Sequence, residues 1–271
     1  MQTQAQLREK FEMKVPPAHN IQSLEGKVSE EEWKLRVDLA ATYRLIALHG
    51  WDDMIFTHIS ARVPGPEHHF LINPYGLLFE EITASSLVKI DVDGHKVQES
   101  PYPVNPAGFT IHSALHMNRD DAHCIIHVHT DDGVAVSAQA DGLLPLDQHA
   151  MMITGDVAYH DYEGIALDLD ERERLVADLG KDKHAMMLRN HGTLALGRSC
   201  ADAFMRMYYL ERACTMQVKA LSGGMKWNKV NQGVAEKTAG QGAMAFEGLV
   251  GALAWPALLR KLDRIDPGYR H

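Results

Sequence analysis

Cys124-Ile125-Ile126-His127-Val128-His129-Thr130 is the stretch from which the rest of the chain can be placed. The run Ala122–Thr130 is apolar and β-branched, the composition of a buried strand. Side chains two apart on a strand share a face, so His127 and His129 present two imidazoles side by side. Downstream, Ala185-Met-Met-Leu-Arg-Asn190 has the same character and ends in His191-Gly192. If the two strands are neighbours, His191 completes a three-imidazole site for a divalent metal. Catalytic zinc centres commonly take three protein ligands and leave one position open. His-x-His alone serves as often as a hydrogen-bonded pair in a core, so both readings stand at this point. The second apolar strand, ending in Arg-Asn-His-Gly, adds the weight on the metal side.

Working outward, Gly108–Arg119 has helical spacing ahead of the His-x-His strand, and Asp131 or Asp132 is expected to cap a helix running to Ala138. Ser29 and Glu32 form a capping box, followed by Trp33, Val37, Ala40, Ala41, Leu45 and Leu48 at helical intervals up to Gly50. From Ile55 to Val97 the pattern changes to short strands: Thr57–Val63, His69–Asn73 and Leu87–Val92, the last leading into Asp93-Gly94. Pro101, Pro103 and Pro106 mark a loop. Leu143–Tyr162 reads as loop and short strand, with Met151-Met152 as strand core. Asp168–Leu179 is an amphipathic helix stopped at Gly180, and Ser199–Ser222 a long helix stopped at Gly223-Gly224. Residues 1–28 read as a loosely packed N-terminal leader and 29–222 as one domain. Residues 223–271 are expected to form a helical C-terminal tail, Gly-rich and then apolar around Phe246–Leu259, with Pro256 interrupting. It either closes its own core or packs on a neighbouring subunit. Hairpin strands with interspersed helices give an α/β fold: a central, mostly antiparallel sheet with helices on both faces.

The 271 residues are 45% hydrophobic and 23% charged, enough for a full core. A net charge of −9 argues against nucleic acid as a partner. No run of about 20 apolar residues is present, so no membrane span is expected. The N-terminus carries no signal-peptide core. Three widely spaced cysteines, Cys124, Cys200 and Cys214, fit reduced thiols in the cytoplasm. With sixteen histidines in the chain, abundance by itself identifies no site.

Six pieces then carry a resemblance: Thr57-His-Ile-Ser-Ala-Arg62, Phe70-Leu-Ile-Asn-Pro-Tyr-Gly76, Ile82-Thr-Ala-Ser-Ser-Leu-Val-Lys89, Gly108-Phe-Thr-Ile-His112, His127-Val-His129 and Leu188-Arg-Asn-His-Gly192. In this order, over roughly residues 30–222, the chain resembles the class II aldolase/adducin superfamily, and within it the adducin head domain and its bacterial relatives. The resemblance implies a three-layer αβα fold and a ring-shaped homotetramer with active sites at subunit boundaries. It implies that His127, His129 and His191 are ligands of a divalent metal ion, zinc foremost and manganese or iron as alternatives. The family's catalytic acid lies at the start of the helix before His-x-His, a place held here by Gly108. Its phosphate-binding positions fall on Thr57-His58, Tyr75-Gly76 and Asn105–Ala107, mostly bulkier than the small residues that cradle phosphate. A phosphorylated sugar is therefore not the expected substrate.

The chemistry left is a metal-stabilised enolate, reached by retro-aldol cleavage or by decarboxylation. The expectation is a carbon–carbon lyase acting on a small unphosphorylated oxo or hydroxy acid. His149 or Tyr159 is the expected proton donor, since the family's donor tyrosine falls near His149. His58, His112 and Glu163 are further candidates to compensate for the missing acid. The competing expectation is a non-catalytic, adducin-like oligomeric binding module that keeps the three histidines as inherited scaffold.

Overall fold

The structure, a computed structural model, describes residues 16–164, 170–224 and 226–271; of residues 19 and 106–110 it describes the backbone alone. A seven-stranded sheet runs through the middle in the order β3-β2-β1-β4-β7-β6-β5. The strands are β1 (His58–Arg62), β2 (Phe70–Ile72), β3 (Val88–Ile90), β4 (Cys124–Val128), β5 (Val157–His160), β6 (Ala185–Leu188) and β7 (Gly192–Gly197). Every neighbouring pair is antiparallel except β5 and β6, which run parallel. The expected mostly antiparallel sheet is therefore mixed at its β5 edge, where the crossover from β5 to β6 includes a helix, as a parallel pair requires.

The alternation of β4 divides the core. Cys124, Ile126 and Val128 face α1 (Glu30–Leu48) and α6 (Cys200–Leu221), packing with Leu39, Tyr43, Ile46, Phe204 and Met207. Ile125 faces the other way, with Leu194 and Leu196, against α2 (Pro106–Asn118) and α5 (Glu171–Leu179). Two helical layers thus sandwich the sheet, as the αβα expectation requires. His127, two residues from Ile125, shares the α2 face, and its partner across the ladder on β1 is His58.

Several local expectations are corrected. Ser29 caps α1 by accepting from Glu32 N–H, but the Glu32 carboxylate turns to Arg36 and Lys89 instead of closing the capping box. The short helix after β4, α3 (Asp131–Ser137), is capped by the Thr130 hydroxyl, not by either aspartate. Met151 and Met152 lie on a helix, α4 (Gln148–Ile153), capped by Asp147, where a strand was expected. The C-terminal tail, by contrast, was expected to be helical, and it forms α7 (Gln232–Phe246) and α8 (Leu249–Ile265). The leader is not wholly loose: Ala18 is buried with Phe70, Val88 and Tyr102. The expected start of the helix at Asp168 falls outside the described residues.

The tail packs on its own chain. Phe246 enters the cluster of Val157, Met187 and Cys214, while Trp255 and Leu262 enter that of α1 and α6. The opposite side keeps Met244, Leu249 and Leu253 exposed. Among the described residues no single helix is long and apolar enough to cross a membrane; α7 and α8 reach that composition only as a pair bent by 60°.

Candidate metal centre

His127 is the last but one residue of β4, His129 lies just beyond the strand, and His191 sits in the turn between β6 and β7. That turn is held by Leu188 C=O accepting from His191 N–H, with Asn190 in the left-handed region at φ 59°. Because β7 pairs with β4 (His127 opposite Leu194, Val128 opposite Thr193), the turn is delivered to the end of the His-x-His strand. Gly192 permits the approach: a Cβ there would stand 2.5 Å from Val128 C=O and 3.0 Å from the His129 ring.

One ligand atom from each of the three imidazoles lies within 4.8 Å of the others. His127 Nδ1–H donates to Thr193 C=O at 2.9 Å, and His129 Nδ1–H donates to the Asp53 carboxylate at 3.1 Å. Each bond fixes a tautomer that leaves Nε2 with a lone pair, and the two Nε2 atoms face one another at 3.0 Å. Two lone pairs at that distance repel unless a cation or a proton lies near them. Nitrogens bound at about 2.1 Å to one ion stand roughly 3.0–3.4 Å apart, so the donor set fits a divalent metal. Such outer bonds are how protein zinc sites orient their histidines. Burial, reinforced by neighbouring imidazoles, pushes His127 well below the usual histidine range and His191 down to about 4. Both are therefore neutral at pH 7, the form that binds metal.

The three rings form one wall of a cavity of about 360 Å³, which His58, Phe56, Tyr75, Ile111 and Tyr162 also line. Tyr162 and Phe56 stand half-exposed at its mouth, with the Tyr162 ring 6.2 Å from that of His191. Among the described residues lining it, none is Asp, Glu, Lys or Arg.

The expected donors do not join the three histidines within one chain. His149, on α4, lies 3.4 Å from the Asp147 carboxylate and packs against the tilted ring of Tyr209. The Tyr159 hydroxyl accepts from Leu143 N–H, and its ring lies under Arg189. Glu163 is exposed and paired with Arg174. Gly108 falls in 106–110, where the helix is described but its side chains are not. His58 does line the cavity, and His112 packs against it with ring centroids 4.2 Å apart and the planes tilted by 51°. Asp53 and Tyr162 were not singled out from the sequence. Asp53 stands in a polar loop with no local motif, and Tyr162 follows β5 with none either.

A model of the Class II Aldolase and Adducin N-terminal domain matches residues 37–218. The chain belongs to that family. A solved aldolase II superfamily protein from Pseudomonas syringae is 52% identical, with a TM-score of 0.88, over 92% of this chain and 100% of that one. An L-fuculose 1-phosphate aldolase from Glaciozyma antarctica is 26% identical, with a TM-score of 0.75, over 96% of this chain and 98% of the other. Alpha-adducin of Mus musculus is 41% identical over 94% of this chain, which spans 36% of that longer protein.

Proposed function

We propose that this protein is a divalent-metal-dependent carbon–carbon lyase acting on a small unphosphorylated oxo or hydroxy acid. The observation that carries the reading is the pair of Nε2 lone pairs, fixed by Thr193 and Asp53, converging at the wall of the cavity. His127, His129 and His191 would hold the ion, zinc foremost and manganese or iron as alternatives. When bound, such an ion supplies Lewis acidity to substrate oxygens where negative charge develops as the carbon–carbon bond breaks.

The chain's own residues supply the rest. Phe56 and Ile111 keep part of the cavity apolar and limit water. With no Lys or Arg among the described lining residues, a phosphate group finds no basic side chain there. With no carboxylate among them either, the cavity favours a reaction that needs an acid more than a base. Decarboxylation is such a reaction, because the carbanion it leaves only has to be protonated. Tyr162 lines the cavity beside His191, and its phenol hydroxyl is the donor this chain offers. His149 and Tyr159 would act as donors only across a subunit boundary, in the homotetramer the family resemblance implies. Buried, unpaired Cys124, Cys200 and Cys214 suit a cytoplasmic setting.

A second reading rests on the adducin likeness: an oligomeric binding module that keeps the histidines as scaffold. Elemental mass spectrometry of protein never exposed to chelator, with His127→Ala alongside, separates the two. The lyase reading expects near-stoichiometric metal that vanishes in the variant, followed by carbon dioxide release or aldol cleavage from a panel of oxo and hydroxy acids. A folded protein that takes up no metal when offered it sinks the lyase and leaves the module.

A further inference from the structure

The pairing of β4 with β7 ends where Val128 faces Thr193, and His129, Thr130 and His191 lie beyond it, outside any strand. One side chain bridges these two chain ends. Glu211, on α6, is 1% exposed. Its Oε2 accepts from the Thr130 hydroxyl and its Oε1 from the Thr193 hydroxyl, each at 2.5 Å. Thr130 follows His129 directly. Thr193 stands two residues after His191, and its carbonyl is the acceptor that orients His127. A single carboxylate therefore ties the two arms that bring in all three imidazoles. The surroundings leave room for it. Gly133 N–H donates to Thr130 Oγ at 2.9 Å and holds that hydroxyl from its other side. A Cβ at Gly133 would stand 2.7 Å from Thr130 Oγ and 2.9 Å from Glu211 Oε1, so a side chain there would push the carboxylate away. Folding stability alone is a poor account of Glu211. Desolvation offsets much of what the bonds of a buried carboxylate contribute, and apolar groups of similar volume commonly serve as well. What an apolar replacement does not supply is a fixed distance between the two threonines.

We propose that Glu211 is a positioning residue of the metal centre: by holding Thr130 and Thr193, it sets the spacing between the His-x-His arm and the His191 arm. The inference rests on the metal site of the lyase reading. Glu211 makes no hydrogen bond to any of the three imidazoles and acts through the two threonines. A centre whose arms are free to part admits further water ligands, so the role shows in coordination geometry as well as in affinity.

The test loads the full-length, metal-stripped protein with zinc in competition with a chromophoric chelator. A second sample takes cobalt(II), whose visible absorption is strong in four-coordinate sites and weak in six-coordinate ones. Glu211→Leu, which fills the space but accepts no hydrogen bond, is expected to weaken zinc about tenfold, the lower end of what lost outer bonds cost a metal site. Its cobalt absorption is expected to fall. Thr193→Val removes one bond with little change of shape, and carries the same test with a smaller loss should E211L not fold. Glu211→Gln can accept from one threonine and donate to the other, so it is expected to stay within about threefold of the wild type. Leu262→Ala thins the core where the tail packs; it is expected to lower the urea midpoint and leave both metal readouts unchanged. Zinc affinity and a cobalt spectrum equal to the wild type, in whichever of E211L and T193V folds, overturn the proposal and leave the metal site standing. A loss in L262A as large as that in E211L assigns the effect to general loosening and overturns it too. A wild type that takes up neither ion overturns the positioning role together with the lyase reading.

Discussion

His127, His129 and His191 on one side, and Asp91, Asp93 and His95 on the other, each bring three ligand atoms within 4.8 Å, yet their surroundings differ throughout. Asp91 spends one carboxylate oxygen on the backbone N–H groups of Asp93 and His95, the ordinary economy of a tight turn, and the His95 side chain stands 78% exposed. At the histidine centre the imidazoles are buried or half-buried, and Thr193 and Asp53 turn two of them so that lone pairs converge. Spacing alone is common on protein surfaces. What separates the two clusters is the second layer of bonds, which fixes orientation in advance and spares the ion the cost of arranging its ligands.

The contrast can be tested from the largest effect downward. His127→Ala is expected to abolish zinc uptake, whereas Asp93→Ala leaves it unchanged; elemental analysis of both variants settles this, and equal loss would erase the distinction. Removing the outer bond is the next step. Asp53→Ala should weaken zinc about 10- to 100-fold in competition with a chromophoric chelator. An unaltered affinity would show that the carboxylate merely decorates His129. Gly192→Ala should cost about 1–3 kcal/mol in urea denaturation, because the new methyl meets the Val128 carbonyl and the His129 ring between two paired strands. A stability within error of the wild type would mean the β6–β7 turn can move away, and with it His191.

The smallest effect concerns the support beneath the centre. Glu211 is wholly buried on α6, where the hydroxyls of Thr130 and Thr193 donate to it. Burial, with Asp132 nearby, pushes its carboxyl up to about 7, against the opposing effect of those two bonds. A folded-state pKa raised above the unfolded value contributes stability that is present below about 4.5 and lost as pH rises through about 7. Glu211→Gln lacks that loss, so its melting temperature relative to the wild type should climb from pH 5 to pH 8, a gain of about 1–2 kcal/mol. His116, held down to about 3 chiefly by burial, works in the opposite sense, its contribution lost as pH falls from 6.5 towards 3. It is present in both proteins and cancels in the difference. A flat or falling difference would show Glu211 ionised in the fold.

Much of the architecture could be read locally. The strand bearing His127, the long helix ending at Gly223, and the strand pair around His191 announce themselves by apolar periodicity and by Gly or Ser at their ends. The errors share a cause, tertiary context overriding local preference. Gln148–Ile153 is too short for its periodicity to separate helix from strand, and Asp147 decides it by capping. Gln232–Phe246 is a different case: a helix was expected in the tail, although Gly233, Gly240 and Gly242 lower its propensity, and Gly242 is required where the helix crosses the backbone of Met152.

By itself the sequence determined that two imidazoles share a strand face and that a third follows a second apolar strand. Those facts depend only on the two-residue period of an extended chain. The sequence left open what would fix the rings. Asp53 lies 76 residues from His129, Thr193 lies 66 from His127, and Ser60 joins His112 and His116 across 52 and 56. An imidazole's tautomer, charge and free lone pair are set by whatever stands within 3 Å of it. Only the closing of β1, β4 and β7 into one sheet brought those neighbours there.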